Sequence, residues 1–351
     1  MSRIVLVTAT KLAPEAVVLL TDAGLTPVYT AAYPDEASLL GLIATHRPCA
    51  ILHRQGLINA TVMDAAAPEL LVVARHGAGL DGVDLVAAKA RNLTVVRAAG
   101  ANAPAVAEHT LALLLASLKQ LPAIAAGMRE GKWEKTTRIT RDLNGLVLGI
   151  VGYGAIGRRV AKLASAFGAE ILAYDPYLPQ GALPGPGERF TDLKAMLPRC
   201  EALSMHCPLN AETRHMIGAA ELALLPQGVV LVNTARGGVL DEAALLAALD
   251  AGQIAVAGID VFENEPLQIE NRLRTHPQVI ATPHIAASSR QGGVAMATGA
   301  ADGIVSALAK REPKLPGAVA VPGSLLVGIV EASVNRPGFP GNCNQTTAAG
   351  R

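Results

Sequence analysis

The chain has 351 residues, enough for about two domains, and its 30 Lys and Arg nearly cancel its 29 Asp and Glu. With only 3% aromatic residues as well, neither a nucleic-acid footprint nor a base-stacking platform is expected. The hydrophobic fraction of 51% does not indicate a membrane span, because the longest uncharged stretch, residues 315–330, is short and broken by Pro316 and Pro322.

In chain order, Met1-Ser2-Arg3 leads directly into the β-branched run Ile4-Val5-Leu6-Val7 without an apolar leader, which sets the expectation of a cytoplasmic chain with no membrane partner. A helix opened by Pro14 and closed near Gly24 follows. Further short apolar runs come at residues 27–30, 49–52, 70–74 and 94–97, and their alternation with amphipathic stretches predicts a parallel sheet covered by helices. The Gly-free segment 104–126, with Val106, Leu111, Leu114 and Leu118 on a helical period, predicts one connecting helix. The alternation restarts at 146–151 and continues through 170–174, 202–205, 228–232, 254–259 and 279–281, a second α/β unit. Residues 288–310 read as a helix returning to the first domain, and 316–351 as a mostly disordered tail. Cys49, Cys200, Cys207 and Cys343 form no CxxC pair and have no His at zinc spacing, so reduced thiols and no metal are expected.

Gly152-Tyr153-Gly154-Ala155-Ile156-Gly157 follows an apolar strand and opens a helix, and the next strand ends at Asp175. Backbone N–H groups of such a loop can approach a pyrophosphate at the positive end of the helix, while Asp175 can accept from a ribose 2′-hydroxyl. A second match, Gly77-Ala78-Gly79-Leu80-Asp81-Gly82, is followed by a strand ending in Arg97 with no acid. It reads either as a tight turn or as a backbone nest for a smaller anion such as a carboxylate.

Ligands of doubly wound sheets bind outside the carboxyl ends of the strands. Three successive strand ends carry Asn233-Thr234-Ala235-Arg236-Gly237-Gly238, Asp260-Val261-Phe262-Glu263-Asn264-Glu265-Pro266 and Thr282-Pro283-His284. An Arg to clamp an anion, a His to protonate a carbonyl oxygen as hydride arrives and an acid to hold that His suit reduction of a 2-oxo acid. Cys207-Pro208-Leu209, after His206, is assigned to the adenine side. His76 and His109 are weaker candidates for contact with substrate or cofactor.

Together with residues 148–157 and 207–214, these runs resemble the D-isomer-specific 2-hydroxyacid dehydrogenase family, in its phosphoglycerate and hydroxypyruvate branch. The resemblance implies two doubly wound parallel-sheet α/β domains. One is a discontinuous flavodoxin-like substrate-binding domain, 1–98 plus 288–315. The other is an inserted Rossmann NAD-binding and dimerisation domain, 99–287, with Trp133 in the dimer arm. The implied activity is NAD-dependent interconversion of a small D-2-hydroxy acid and its 2-oxo acid, of the 3-phosphoglycerate, glycerate or glycolate type. An NADH-sensing corepressor-like module is the alternative. By position, Arg236, Glu265 and His284 are implied as catalytic. Gly152, Gly154, Ala155, Ile156, Gly157, Asp175, Pro208, Thr234 and Asp260 are implied as NAD-binding, and Arg54, Ala78, Gly79 and Arg236 as substrate-binding, in a homodimer. The stretch His53-Arg54-Gln55-Gly56 and Gly82 depart from the family's usual residues at those positions.

Overall fold

The computed structural model describes residues 2–179, 181–311 and 318–320. It divides into two compact units, one holding the residues up to Ala98 and those from Ala297 onward, the other Ala99–Met296.

In the first unit, β1 (Ile4–Val7), β2 (Thr26–Tyr29), β3 (Ala50–His53), β4 (Val72–Arg75) and β5 (Thr94–Ala98) run parallel in the order β2-β1-β3-β4-β5. Successive side chains of a strand point to opposite faces, so the Val, Ile and Leu runs fill two cores. Val5, Val7, Leu52, Val72 and Val96 pack with Ala16, Leu20, Ala300 and Ile304, while Leu6, Ile51, Val73 and Val95 pack with Leu39, Ile43, Val62 and Leu85.

The second unit has β6 (Val147–Val151), β7 (Glu170–Tyr174), β8 (Glu188–Phe190), β9 (Ala202–Met205), β10 (Val229–Asn233), β11 (Ile254–Ile259) and β12 (Val279–Ala281). All are parallel, in the order β12-β11-β10-β9-β6-β7-β8. Strand order reverses at β6, which lies between β7 and β9, and this switch point is where doubly wound sheets open their binding crevice. Strand β8, Glu-Arg-Phe, has no apolar run to announce it and forms by pairing with β7.

Two sequence expectations are corrected. The segment 104–126 is not one helix but two, Ala103–Leu118 and Leu121–Arg129, bent by 60°. Pro122 has no N–H to continue the ladder and its ring crowds the preceding turn, so the chain breaks at Gln120, at φ 50°. Within the stretch read as a tail, Ala318–Ala320 forms β13, antiparallel to β5. The open edge of β5 supplies the backbone partners that three small residues need. The rest of 316–351, including Cys343, lies outside the described residues. No single helix among the described residues is long and apolar enough to cross a membrane.

Candidate active site

The glycine loop joins β6 to the helix Ala155–Ala166 at the switch point. Gly152 has φ +91°, and a Cβ there would lie 2.7 Å from the backbone nitrogen of Cys207 at the end of β9; a Cβ on Gly157 would lie 2.1 Å from the Gly152 carbonyl oxygen. These two glycines let the strand, the loop and the helix close on each other. Gly154 faces open space. The N–H groups of Gly154, Ala155, Ile156 and Gly157 donate to nothing among the described residues, which leaves four donors at the positive end of a helix, the arrangement that suits a pyrophosphate. Asp175 follows β7, half-buried. Its carboxylate accepts from Tyr153 N–H at 2.9 Å and Tyr177 N–H at 3.0 Å, one bond to each oxygen, so it fixes the loop and keeps a lone pair on each oxygen for a ligand hydroxyl. Pro208 is exposed just past β9. These residues fit a bound dinucleotide.

The Arg, Glu and His candidates also come together. His284 Nδ1 lies 2.7 Å from Glu265 Oε2. Glu265 Oε1 accepts from Phe262 N–H at 3.0 Å. Burial pushes the Glu265 carboxyl up, but the bonds from His284 and Phe262 and the charges of His284 and Arg236 outweigh it and hold the group below its ordinary range. Because an ionised carboxylate only accepts, Nδ1 carries the ring proton toward Glu265 and Nε2 faces away. Arg236 is half-buried and bonds the Ala235 carbonyl at 2.6 Å. Its turn is shaped by the buried Asn233, whose amide donates to the Arg236 carbonyl and accepts from Ala235 N–H. The next residue, Gly237, is packed so tightly that a Cβ would lie 1.9 Å from the Phe262 carbonyl carbon.

Asp260 and Thr234 are placed differently from the glycine loop. Asp260 is fully buried at the end of β11, where its carboxylate accepts from Thr282 Oγ1 at 2.6 Å and from Ile285 and Ala286 N–H, each at 2.9 Å. Its backbone carbonyl takes His284 N–H at 2.8 Å. The Thr234 hydroxyl, also buried, meets Thr110 Oγ1 at 2.8 Å. Asn233 and Asp260 as loop anchors were missed by sequence reasoning; the signal available was a polar residue closing an apolar strand, with nothing to show the direction of its side chain.

Arg54, Ala78 and Gly79 belong to the first unit, at the carboxyl ends of β3 and β4. Arg54 is exposed, and Arg75 Nη1 holds the carbonyls of His53, Arg54 and His76 at 3.3, 3.2 and 3.1 Å. Arg97 Nη1 reaches the Ala78 carbonyl at 3.4 Å. The N–H groups of Ala78 and Gly79 donate to nothing among the described residues.

Residues 111–286 match the model of the D-isomer specific 2-hydroxyacid dehydrogenase NAD-binding domain. The chain is 40% identical over 310 residues to D-3-phosphoglycerate dehydrogenase of Mycobacterium tuberculosis, an alignment that takes in 88% of this chain and 58% of that one. It is also 40% identical over 236 residues to hydroxypyruvate reductase of Thermotoga maritima, covering 67% of this chain and 76% of the relative. Among solved structures, a glyoxylate reductase from Paecilomyes thermophila superimposes with a TM-score of 0.79 at 28% identity, over 92% of this chain and 99% of that one. The chain belongs to the D-isomer-specific 2-hydroxyacid dehydrogenase family, and its second unit is that family's NAD-binding domain.

Proposed function

We propose that the chain interconverts a small D-2-hydroxy acid and its 2-oxo acid, with phosphohydroxypyruvate, hydroxypyruvate and glyoxylate as the acceptors to test first. The observation that carries this reading is the Glu265–His284 contact of 2.7 Å with the Arg236 charge acting on the same carboxylate. NAD, when bound, supplies or takes the hydride. The remaining tasks fall to the chain itself. His284 Nε2 gives a proton to the carbonyl oxygen in reduction and removes it from the hydroxyl in oxidation, while Glu265 keeps the ring oriented and supports its charged form. Arg236 holds the substrate carboxylate in a forked pair. In the first unit, the Ala78 and Gly79 N–H groups are donors for a carboxylate, and Arg54 is the candidate contact for a distal phosphate or hydroxyl. In the second unit the loop 152–157 holds the pyrophosphate, Asp175 the adenosine ribose, and Pro208 lines the adenine side.

The activities for which the relatives are named, D-3-phosphoglycerate dehydrogenase, hydroxypyruvate reductase and glyoxylate reductase, support this substrate class. The exposed apolar group Leu121, Met128, Trp133 and Ile139 supports a homodimer built on the second unit. Steady-state NADH oxidation with a panel of 2-oxo acids tests the proposal. Turnover of at least one acceptor is expected, and NADH binding with no turnover of any would replace it with a sensor.

A further inference from the structure

The helix Ala103–Leu118 directs two consecutive residues at two of the loops that carry the candidate triad. Thr110 bonds Thr234 Oγ1 at 2.8 Å, two residues before Arg236. His109 Nε2 lies 3.1 Å from Thr282 Oγ1, two residues before His284, and 3.6 Å from Asp260 Oδ1. The Thr282 hydroxyl has a single proton and gives it to Asp260 at 2.6 Å, so toward His109 it accepts, and Nε2 is the protonated nitrogen. The chain of bonds therefore has one direction: His109 to Thr282 to Asp260.

What this chain supports is an exposed group in an uncommon conformation. His284 has φ 52°, in the left-handed region, and its side chain is 48% exposed, so beyond the Glu265 contact little packing around the ring holds its backbone in place. Such a backbone persists only where its surroundings over-determine it. Here the surroundings are Asp260, whose carbonyl accepts the His284 N–H and whose carboxylate accepts the backbone N–H groups of Ile285 and Ala286 on the C-terminal side and the Thr282 side-chain hydroxyl on the N-terminal side. Asp260 and Ala286 are buried, whereas Thr282 is only partly buried and His109, 22% exposed, closes the network at its outer end.

We propose that His109 is a positioning residue for His284: its Nε2–H fixes the Thr282 hydroxyl on Asp260 and so holds the loop in the geometry that aims the imidazole at substrate. The proposal rests on the reading of His284 as the proton-transfer group.

The test uses the full chain in four variants, His109→Leu, His109→Gln, Thr282→Val and the double His109→Leu/Thr282→Val, with His284→Ala alongside. The readouts are kcat with the best 2-oxo acid, KM for that acid, NADH Kd by fluorescence, and Tm. His109→Leu is expected to lower kcat about 10-fold, since small misplacements of a reacting group are costly, with NADH Kd within about twofold of the parent. His109→Gln, whose amide N–H replaces the ring donor, restores most of the loss, and the double variant is no slower than the slower single because the two act through one bond. Rates are compared at temperatures well below each Tm and per NADH-binding site, so that a folding defect does not enter kcat. Parent-like kcat in His109→Leu, a loss that appears in NADH Kd instead of kcat, failure of Gln to rescue, or additive effects in the double variant would each overturn the proposal. Parent-like kcat in His284→Ala would overturn instead the reading on which it rests.

Discussion

Glu265 and His284 meet through one oxygen and one ring nitrogen, 2.7 Å apart, and the second Glu265 oxygen is held by the Phe262 N–H. The carboxylate is thus anchored at one end and its partner is left to swing only about a fixed hinge. The His284 charge helps to hold the Glu265 carboxyl low. In Glu265→Gln the shape stays and the charge goes, and kcat should fall about 10-fold as the ring loses its ionised partner, with NADH Kd unchanged. His284→Ala should lose about 10²–10⁴-fold in kcat and still bind NADH. Parent-like kcat in either variant refutes the pair.

NAD should be preferred to NADP. Asp175 offers lone pairs to ribose hydroxyls and repels a 2′-phosphate, and the neighbouring Tyr177 hydroxyl is bonded to a second carboxylate, Glu212. Comparing kcat/KM for the two cofactors checks this, and equal values would remove Asp175 from the ribose site. Asp175→Ser should narrow the ratio by weakening NAD use.

Gly154 and Gly157 should respond differently to alanine. A methyl on Gly157 collides with the Gly152 carbonyl oxygen, so Tm falls; one on Gly154 meets nothing in the protein, so Tm stays while NADH Kd rises. Calorimetry and NADH titration of both variants separate folding from binding. Equal loss of Tm in the two would mean that Gly154 is there only for the turn.

Acid should destabilise each unit through a neutral histidine, one buried, His53, and one half-buried, His206. Burial, with the Arg75 charge, pushes His53 down to about 4, and burial alone pushes His206 down to about 3. Below about pH 6.5 the unfolded chain takes up these protons and the folded chain does not, so stability falls as pH falls from there to the folded values and is independent of these groups above it. The slope is about 1.4 kcal/mol per pH unit for each histidine. Denaturant midpoints between pH 7 and 5 should show it, and His206→Asn should reduce the proton uptake on unfolding by about one. An unchanged slope would mean that His206 is solvated when folded.

If Arg54 faces a distal phosphate, Arg54→Ala should raise KM for phosphohydroxypyruvate by at least about 10-fold, the loss of a charge-assisted pair, and that for glyoxylate far less. Equal effects on both acceptors would leave Arg54 as surface charge.

The strands of both sheets were legible because buried parallel strands read as nearly unbroken Val, Ile and Leu runs, and the glycine loop because its two tight contacts tolerate no side chain. The candidate Arg, Glu and His were picked out by their place after three successive runs, and the structure puts Glu265 and His284 in contact. Less visible were features made by partners far away in sequence. Strand β8 is Glu-Arg-Phe and exists only beside β7, and β13 only beside β5. The bond between His109 and Thr282 joins residues 173 apart, and no local period can encode it. Gln120 breaks the long helix through Pro122, a residue that was in plain view but sat inside a strongly apolar stretch.

The contact between Gly237 and the Phe262 carbonyl carbon makes the Arg236 turn and the loop leading to Glu265 a single mechanical part. A residue inserted or enlarged on one side must displace the other, so Arg236 and Glu265, proposed as anion clamp and as the acid on the imidazole, shift together or not at all. Attempts to retune acceptor size by substitution at positions 237 or 262 will therefore trade away turnover before they change selectivity. Libraries built on the loops of the first unit, where Gly82 and the residues around Arg54 already depart from the family's usual pattern, leave this part intact and are the better place to look for a new acceptor.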